Sequence, residues 1–125
     1  MVREFHERFR LPMSDVPHLV PDNLHRQRHQ LLLSEVTELY YAMLKHDVVN
    51  VAQELADCVY VLYGTSLCYG IDLDAVVAEV HASNMTKLGA DGKPIVNDAG
   101  KVLKGPNYVK PDVAGILARQ AQDTL

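Results

Sequence analysis

At 125 residues, with 48% apolar and 22% charged side chains, the chain is sized for one domain with a real hydrophobic core, which excludes wholesale disorder and collagen-like or mucin-like structure. A formal charge of −4 gives no net pull toward nucleic acid, so no nucleic-acid partner is expected. No segment approaches about eighteen uncharged apolar residues and MVREFHERF has no apolar signal core, so neither a membrane span nor a signal peptide is expected.

In chain order, a short helix is expected over about residues 2–10, followed by a proline-punctuated arm from Pro12 to Pro21. Asp22 is the expected N-cap of a long helix from about Asn23 to Lys45. Asp47 caps the next, from Val48 to about Tyr69, which Gly70 stops. Cys58 and Cys68 lie within it, about 15 Å apart along its axis. That is too far to bridge, and unbridged thiols point to a reducing, cytoplasmic setting in which they pack as small core side chains.

A fourth helix is expected from Asp72 or Asp74 to about Lys87, broken by Gly89 and Asp91-Gly92. Residues 93–104, with Asn97-Asp98-Ala99-Gly100 at their centre, suit a small hairpin or an ordered loop. Pro111-Asp112 opens a last, partly polar helix to about Gln122. The expectation is thus a single all-α domain over 1–125: an N-terminal helix and arm (1–21), a four-helix-bundle-type helical core (22–88) and a basic tail (89–125).

On the first long helix Leu24, Leu31, Leu32, Val36, Leu39, Ala42 and Met43 fall in an arc of about 140°, and Glu35 lies inside it. Glu38 projects from the same side one turn on. The second helix repeats the arrangement with Glu54 and Asp57, and from Leu55 to Gly70 Asp57 is the only charged residue. Packed antiparallel, the two helices would bring four carboxylates together, an arrangement that repulsion and desolvation oppose unless a cation offsets them. Hard oxygen donors without Cys or His suit Mg²⁺ or Mn²⁺ and phosphate chemistry. A ferritin-like iron site would require Glu-x-x-His, and the third positions here are Glu38 and Asp57. The bland alternative is a solvated acidic face, the ordinary fate of paired acids on one helix. His25 and His29, at i and i+4, are expected in a solvated or core role rather than as metal ligands.

Glu35-x-x-Glu38, fifteen intervening residues, then Glu54-x-x-Asp57 resembles the signature of the MazG-like all-α NTP pyrophosphohydrolases. The resemblance continues through Tyr63-Gly64, Tyr69-Gly70-Ile71-Asp72, Val80-His81-x-x-Asn84-Met85-x-Lys87, Asp91-Gly92-Lys93-Pro94-Ile95 and Gly100-Lys101-Val102-Leu103-Lys104-Gly105-Pro106-Asn107-Tyr108. This tail is similar to that of dUTP-hydrolysing members. What the resemblance implies is cleavage between the α- and β-phosphates of a nucleoside triphosphate, giving the monophosphate and pyrophosphate, as in nucleotide-pool house-cleaning. It also implies Mg²⁺ held by Glu35, Glu38, Glu54 and Asp57, and substrate contacts from Asn84 and Lys87, with Lys104 closing over the phosphates and Tyr108 stacking on the base or packing.

Ser34 stands where many members carry a further glutamate, a candidate general base. Either a motif carboxylate or the metal's own water chemistry takes that role, or activity is weaker than in those members. Phosphoribosyl-ATP hydrolysis is an alternative within the same fold, and a non-catalytic helical dimer or regulatory module is an alternative outside it. The second long helix is apolar nearly all round, so a homodimer is expected, with a tetramer possible.

Overall fold

The computed structural model describes residues 1–124, and short capping signals account for most of its boundaries. Five α-helices follow one another: α1 (Val2–Arg8), α2 (Asp22–Leu44), α3 (Val48–Tyr69), α4 (Leu73–Met85) and α5 (Val113–Thr124). The chain adopts the expected all-helical class. Among the described residues the only bridge outside helices is an isolated antiparallel one, Val96 with Val102. No single helix is long and apolar enough to cross a membrane.

Asp47 Oδ1 accepts from the Asn50 N–H at 3.1 Å and Asp72 Oδ1 from the Ala75 N–H at 3.2 Å, so both caps form as the sequence indicates. Gly70 ends α3 at φ 68°, in the left-handed region where a Cβ is disfavoured. Two boundaries differ from expectation. Asp22 does not cap α2; Pro21 occupies the cap position, and Asp22 opens the helix and pairs with His25 at 3.3 Å. The fourth helix stops at Met85 rather than Lys87, because the Thr86 hydroxyl turns back to donate to the Ser83 carbonyl at 2.6 Å and the chain leaves the helix there.

The chain divides into two compact units, Met1–Ile71 and the segment from Asp72 onward. In the first, α2 and α3 pair antiparallel: Arg28 reaches Val61 and Thr65, whereas Glu35 meets Glu54. α1 lies on α3, where Phe5 sets its ring edge-on to Tyr60 with centroids 5.6 Å apart. The Pro12–Pro21 arm runs across the end of α3. The Ser14 N–H donates to the Leu67 carbonyl at 2.9 Å and the His18 N–H to that of Tyr69 at 3.0 Å, satisfying acceptors that a helix end leaves open.

Cys58 and Cys68 are free and buried, as expected of core side chains, and Ala42 of α2 is buried as well. The rest of the apolar arc is less covered than the helical wheel implies. Leu31, Val36 and Met43 are all exposed, and Val48 and Val49 at the start of α3 are each 77% exposed.

In the second unit α4 packs on α5. The Asp112 carboxylate caps α5 by accepting from the Gly115 N–H at 3.0 Å, and Glu79 accepts from the Asp112 N–H at 2.9 Å. Of the two forms expected for residues 93–104, a hairpin-like turn is found. Asn97 Oδ1 accepts from the N–H groups of Ala99 and Lys101, and the Leu103 N–H donates to the Ile95 carbonyl at 2.7 Å.

Candidate active site

The i, i+3 spacing on α2 puts Glu35 and Glu38 on one side, and the antiparallel pairing sets Glu54 of α3 opposite them. One carboxylate oxygen from each of the three lies within 4.8 Å of the other two. Glu54 is 8% exposed, Glu35 is half-buried and Glu38 is exposed, so the cluster runs from the interior to an open rim. Asp57 is half-buried and stands outside this set of converging oxygens, yet its charge acts on Glu35, Glu54 and Cys58.

Burial pushes the Glu35 carboxyl up to about 7; the Glu38 charge, a hydrogen bond with Glu54 and the Asp57 charge push the same way. Burial also raises Glu54; its hydrogen bond with Glu35 partly offsets this, and the charges of Glu38 and Asp57 add to it. Both carboxyls of this coupled pair thus take up protons more readily than a free glutamate. Even so, Oε2 of Glu35 and Oε2 of Glu54 are buried with no hydrogen-bond partner. No described ion pair involves any of the four acids.

Two orphaned carboxylate oxygens facing a third carboxylate are what a divalent cation would satisfy, so the donor set fits Mg²⁺ or Mn²⁺. Cys58 does not compete as a ligand. Burial, followed by the charges of Glu35, Glu54 and Asp57, raises its thiol, which keeps it protonated and neutral. Ser34 lines a shallow outer groove with Gln30, Thr37, Glu38 and Tyr41, beside the acids but with no carboxylate of its own.

Asn84, Lys87, Lys104 and Tyr108 all belong to the second unit, where the end of α4 and the 104–109 loop are tied together. The Ser83 hydroxyl donates to the Val109 carbonyl at 2.6 Å, the Val109 N–H donates to Thr86 Oγ1 at 2.8 Å, and the Gly105 N–H donates to the Lys87 carbonyl at 3.0 Å. A side chain at position 105 would collide with the Leu88 carbonyl, so glycine permits this close approach. Lys104 Nζ sits 4.7 Å from the centroid of the Tyr108 ring, a cation–π pair near the Lys87 backbone. Asn84 is exposed, as are Lys93, Lys101 and Lys110. The tether through Ser83 and Thr86 escapes a sequence reading because neither residue stands out from other helix-end hydroxyls.

A second feature of the first unit escapes it as well. A cavity of about 200 Å³ opens among α1, the arm, α2 and α3, with His6, Gln27, Arg28 and Cys68 as its polar lining and Phe5 and Tyr60 among its walls. His6 is only 2% exposed, and its Nδ1 lies 3.1 Å from the Pro12 carbonyl oxygen. Burial lowers its proton affinity against the opposing pull of that carbonyl, and the Arg28 charge lowers it further. The signal that could have found the cavity is Gly64, a glycine in the middle of a helix.

An all-helical chain of this layout is shared with a solved protein. The crystal structure of a "putative NTP pyrophosphohydrolase" from Exiguobacterium sp. 255-15 superposes with a TM-score of 0.57 at 22% identity, covering 99% of this chain and 95% of that one, which establishes likeness of fold. No curated protein matches the chain. The family model described as phosphoribosyl-ATP pyrophosphohydrolase matches residues 2–84, from α1 almost to the end of α4, and the chain belongs to that family, within the MazG-like NTP pyrophosphohydrolases. It is therefore a pyrophosphohydrolase. The match spans Glu35, Glu38, Glu54, Asp57 and Asn84; Lys87, Lys104 and Tyr108 lie beyond it.

Proposed function

We propose that the chain is a Mg²⁺- or Mn²⁺-dependent nucleoside triphosphate pyrophosphohydrolase that cleaves the α–β phosphoanhydride, with a pyrimidine deoxynucleotide such as dUTP as preferred substrate. The observation that carries this reading is the convergence of Glu35, Glu38 and Glu54 with two buried oxygens left without a partner. Glu35, Glu38 and Glu54 would hold the cation, with Asp57 as the fourth carboxylate of the set. When bound, the cation supplies charge neutralisation for the triphosphate and acidifies water.

The remaining work belongs to the chain. α2 and α3 fix the carboxylates before substrate arrives, so little reorganisation is needed at the moment of reaction. A serine hydroxyl at position 34 does not accept a proton at neutral pH, so the proton of the attacking water passes to a motif carboxylate or to solvent. Asn84 and Lys87 contact the substrate, as the family resemblance implies, with Lys104 closing over the phosphates and Tyr108 stacking on the base or packing.

The chain acts as a homodimer in this reading. The support is the uncovered apolar surface of α2 and α3, where Leu33, Tyr40, Leu44, Leu55, Val59 and Leu62 are all exposed. A monomer in sedimentation equilibrium at micromolar concentration would overturn that part.

The test of the activity is pyrophosphate release from a panel of ribo- and deoxyribonucleoside triphosphates with Mg²⁺ or Mn²⁺. Release that stops in EDTA is expected, and no release from any triphosphate by folded, metal-loaded protein would overturn the proposal. A second reading, phosphoribosyl-ATP hydrolysis, is favoured by the description of the matching family. Its substrate belongs in the same panel, and a higher kcat/KM for it than for any free triphosphate would select that reading.

A further inference from the structure

The converging acids sit on two helices, and an apolar seam between helices does not by itself choose one axial position. A slide by one turn, about 5.4 Å, returns similar ridges to similar grooves. The charges of Glu38 and Asp57 push against Glu35 and Glu54, so the acids work against the alignment that gathers them. A polar contact placed elsewhere along the seam is a well-attested way to fix such a register.

Arg28 makes that contact. From α2 it donates through Nε to Thr65 Oγ1 at 3.0 Å and through Nη2 to the Val61 carbonyl at 2.9 Å, both on α3. Thr65 Oγ1 donates in turn to the same carbonyl at 2.9 Å, so guanidinium, hydroxyl and carbonyl form a closed triangle. Two donors on a rigid planar fork fix an angle as well as a distance. No described ion pair joins α2 to α3.

The positions match along the helices. Arg28 lies seven residues before Glu35, and Val61 lies seven residues after Glu54. Seven residues are close to two turns, about 10 Å of rise. Because α2 and α3 run antiparallel, the Arg28–Val61 bond and the Glu35–Glu54 contact join the same two faces in the same register, two turns apart. A slide that broke one would break the other.

Gly64 is a second sign. A Cβ built there would lie 2.5 Å from Arg28 Nη2 and 3.4 Å from its Cζ, with His6 Nε2 at 2.8 Å sharing the space. Glycine is a poor helix former, and α3 carries it where the guanidinium rests on its backbone. Alanine at 64 would favour the helix and dislodge the fork.

We infer that Arg28 is a positioning residue for the acid cluster: its fork on Val61 and Thr65, seated over Gly64, sets the axial register that brings Glu35 opposite Glu54. In this role it touches neither cation nor phosphate. Two oxygens bound to one Mg²⁺ stand no more than about 4.2 Å apart, and one oxygen from each of the three acids already lies within 4.8 Å of the others. A slide of one residue, about 1.5 Å, is enough to spoil that near fit. This inference rests on reading the acids as a divalent-cation site, and it adds what holds them to it.

The experiment titrates Mn²⁺ alone by calorimetry, without nucleotide, so that any part the cavity beside Arg28 takes in substrate binding drops out. The variants are Gly64→Ala, Arg28→Met, Thr65→Val and Thr65→Ser, with His6→Gln and Asp47→Ala as controls. Gly64→Ala keeps the test open even if Arg28→Met fails to fold. In parallel, nuclear Overhauser contacts between the Glu35 and Glu54 side chains are compared in the metal-free proteins.

Mn²⁺ affinity is expected to fall about tenfold or more in Gly64→Ala and Arg28→Met, the low end of the cost of losing a group that orients metal ligands. Thr65→Val should fall between these and wild type, and Thr65→Ser, which keeps the hydroxyl, should match wild type. Both controls should bind Mn²⁺ as wild type does, Asp47→Ala despite its lower stability. The Glu35–Glu54 contacts should weaken in the variants that lose affinity. The inference is overturned if folded Gly64→Ala binds Mn²⁺ like wild type, if either control loses as much affinity as it does, or if the Glu35–Glu54 contacts persist unchanged in it. A wild type that binds no Mn²⁺, with those contacts still lost in Gly64→Ala, would instead overturn the cation reading and leave the role of Arg28 standing.

Discussion

In the first unit the acids Glu35, Glu38 and Glu54 are brought together by helix periodicity and antiparallel pairing, whereas in the second the bases Lys87 and Lys104 are positioned by a loop that Ser83, Thr86 and Gly105 hold to the end of α4. The acidic cluster is partly buried, from Glu54 inside to Glu38 at the rim, and under tension from its own charge. In the basic one Lys87 is half-buried and Lys104 is exposed, with its Nζ over the Tyr108 ring. A rigid, partly buried set of like charges suits the reacting centre, where groups must already be in place. An exposed cation on a tethered loop, such as Lys104, suits capture of a polyanion. Changes on α2 and α3 should therefore cost chemistry, and changes in the loop should cost binding.

The largest effect should come from Glu54→Gln and Asp57→Asn. Each is expected to lower kcat by about a hundredfold or more, with helical circular dichroism retained, because a cation that loses one oxygen donor is held and oriented poorly. In metal-free protein Glu54→Gln should also raise the melting temperature, since a buried like-charge contact is relieved. A variant with wild-type kcat would remove the distinction between the two units.

Lys104→Met keeps the aliphatic stem over Tyr108 and deletes the charge. KM should rise roughly tenfold, the low end of what one charge-assisted hydrogen bond is worth, while kcat changes much less. An equal fall in kcat would place the loop in the chemistry rather than in capture.

The next effect is on stability. Glu35 binds its proton more tightly when folded, at about 7, than at its ordinary value of 4.5, so folding without metal takes up a proton between those values. The resulting contribution to stability is present at the acid end and is lost as pH rises through about 7. In EDTA, the melting temperature of wild type relative to Glu35→Gln should fall across that window. Saturating Mg²⁺ should flatten or reverse the trend, because the ionised carboxylate is the form that binds metal. An unchanged difference between the two proteins would mean that the acids do not repel each other as their spacing implies.

The smallest effect tests the turn that aligns the two acidic helices. Asp47→Ala removes the cap bond to Asn50 and should cost about 1 kcal/mol in chemical denaturation, with kcat nearly unchanged. A large fall in kcat would show that the α2–α3 register depends on that cap.

Much of the fold was legible because the cues are local. Asp47, Asp72 and Gly70 mark helix ends through bonds to residues within one turn, and the acids sit at i, i+3 on helices whose apolar faces dictate pairing. What stayed hidden depends on residues far apart in sequence. His6, Arg28 and Gly64 meet only after α1, α2 and α3 pack, and nothing in the local pattern of MVREFHERF marks His6 for burial. The end of α4 also involves a distant partner, since the Thr86 hydroxyl that turns back on Ser83 accepts from the Val109 N–H, some twenty residues later. Asp57 repeats on α3 the spacing of Glu38 on α2, and its charge acts on Glu35 and Glu54 from beside the three oxygens that lie within 4.8 Å of one another.

The bonds from Ser14 and His18 to the last carbonyls of α3 mean that the first twenty residues act as a clasp on the helix bearing Glu54. Gly70 tightens it, since any side chain there would strike the Val16 carbonyl. Trimming the leading segment, a common step when a protein is shortened for expression, would release the end of that helix together with the His6 wall. An inactive shortened protein would then report an unfastened scaffold, not a missing reactive group.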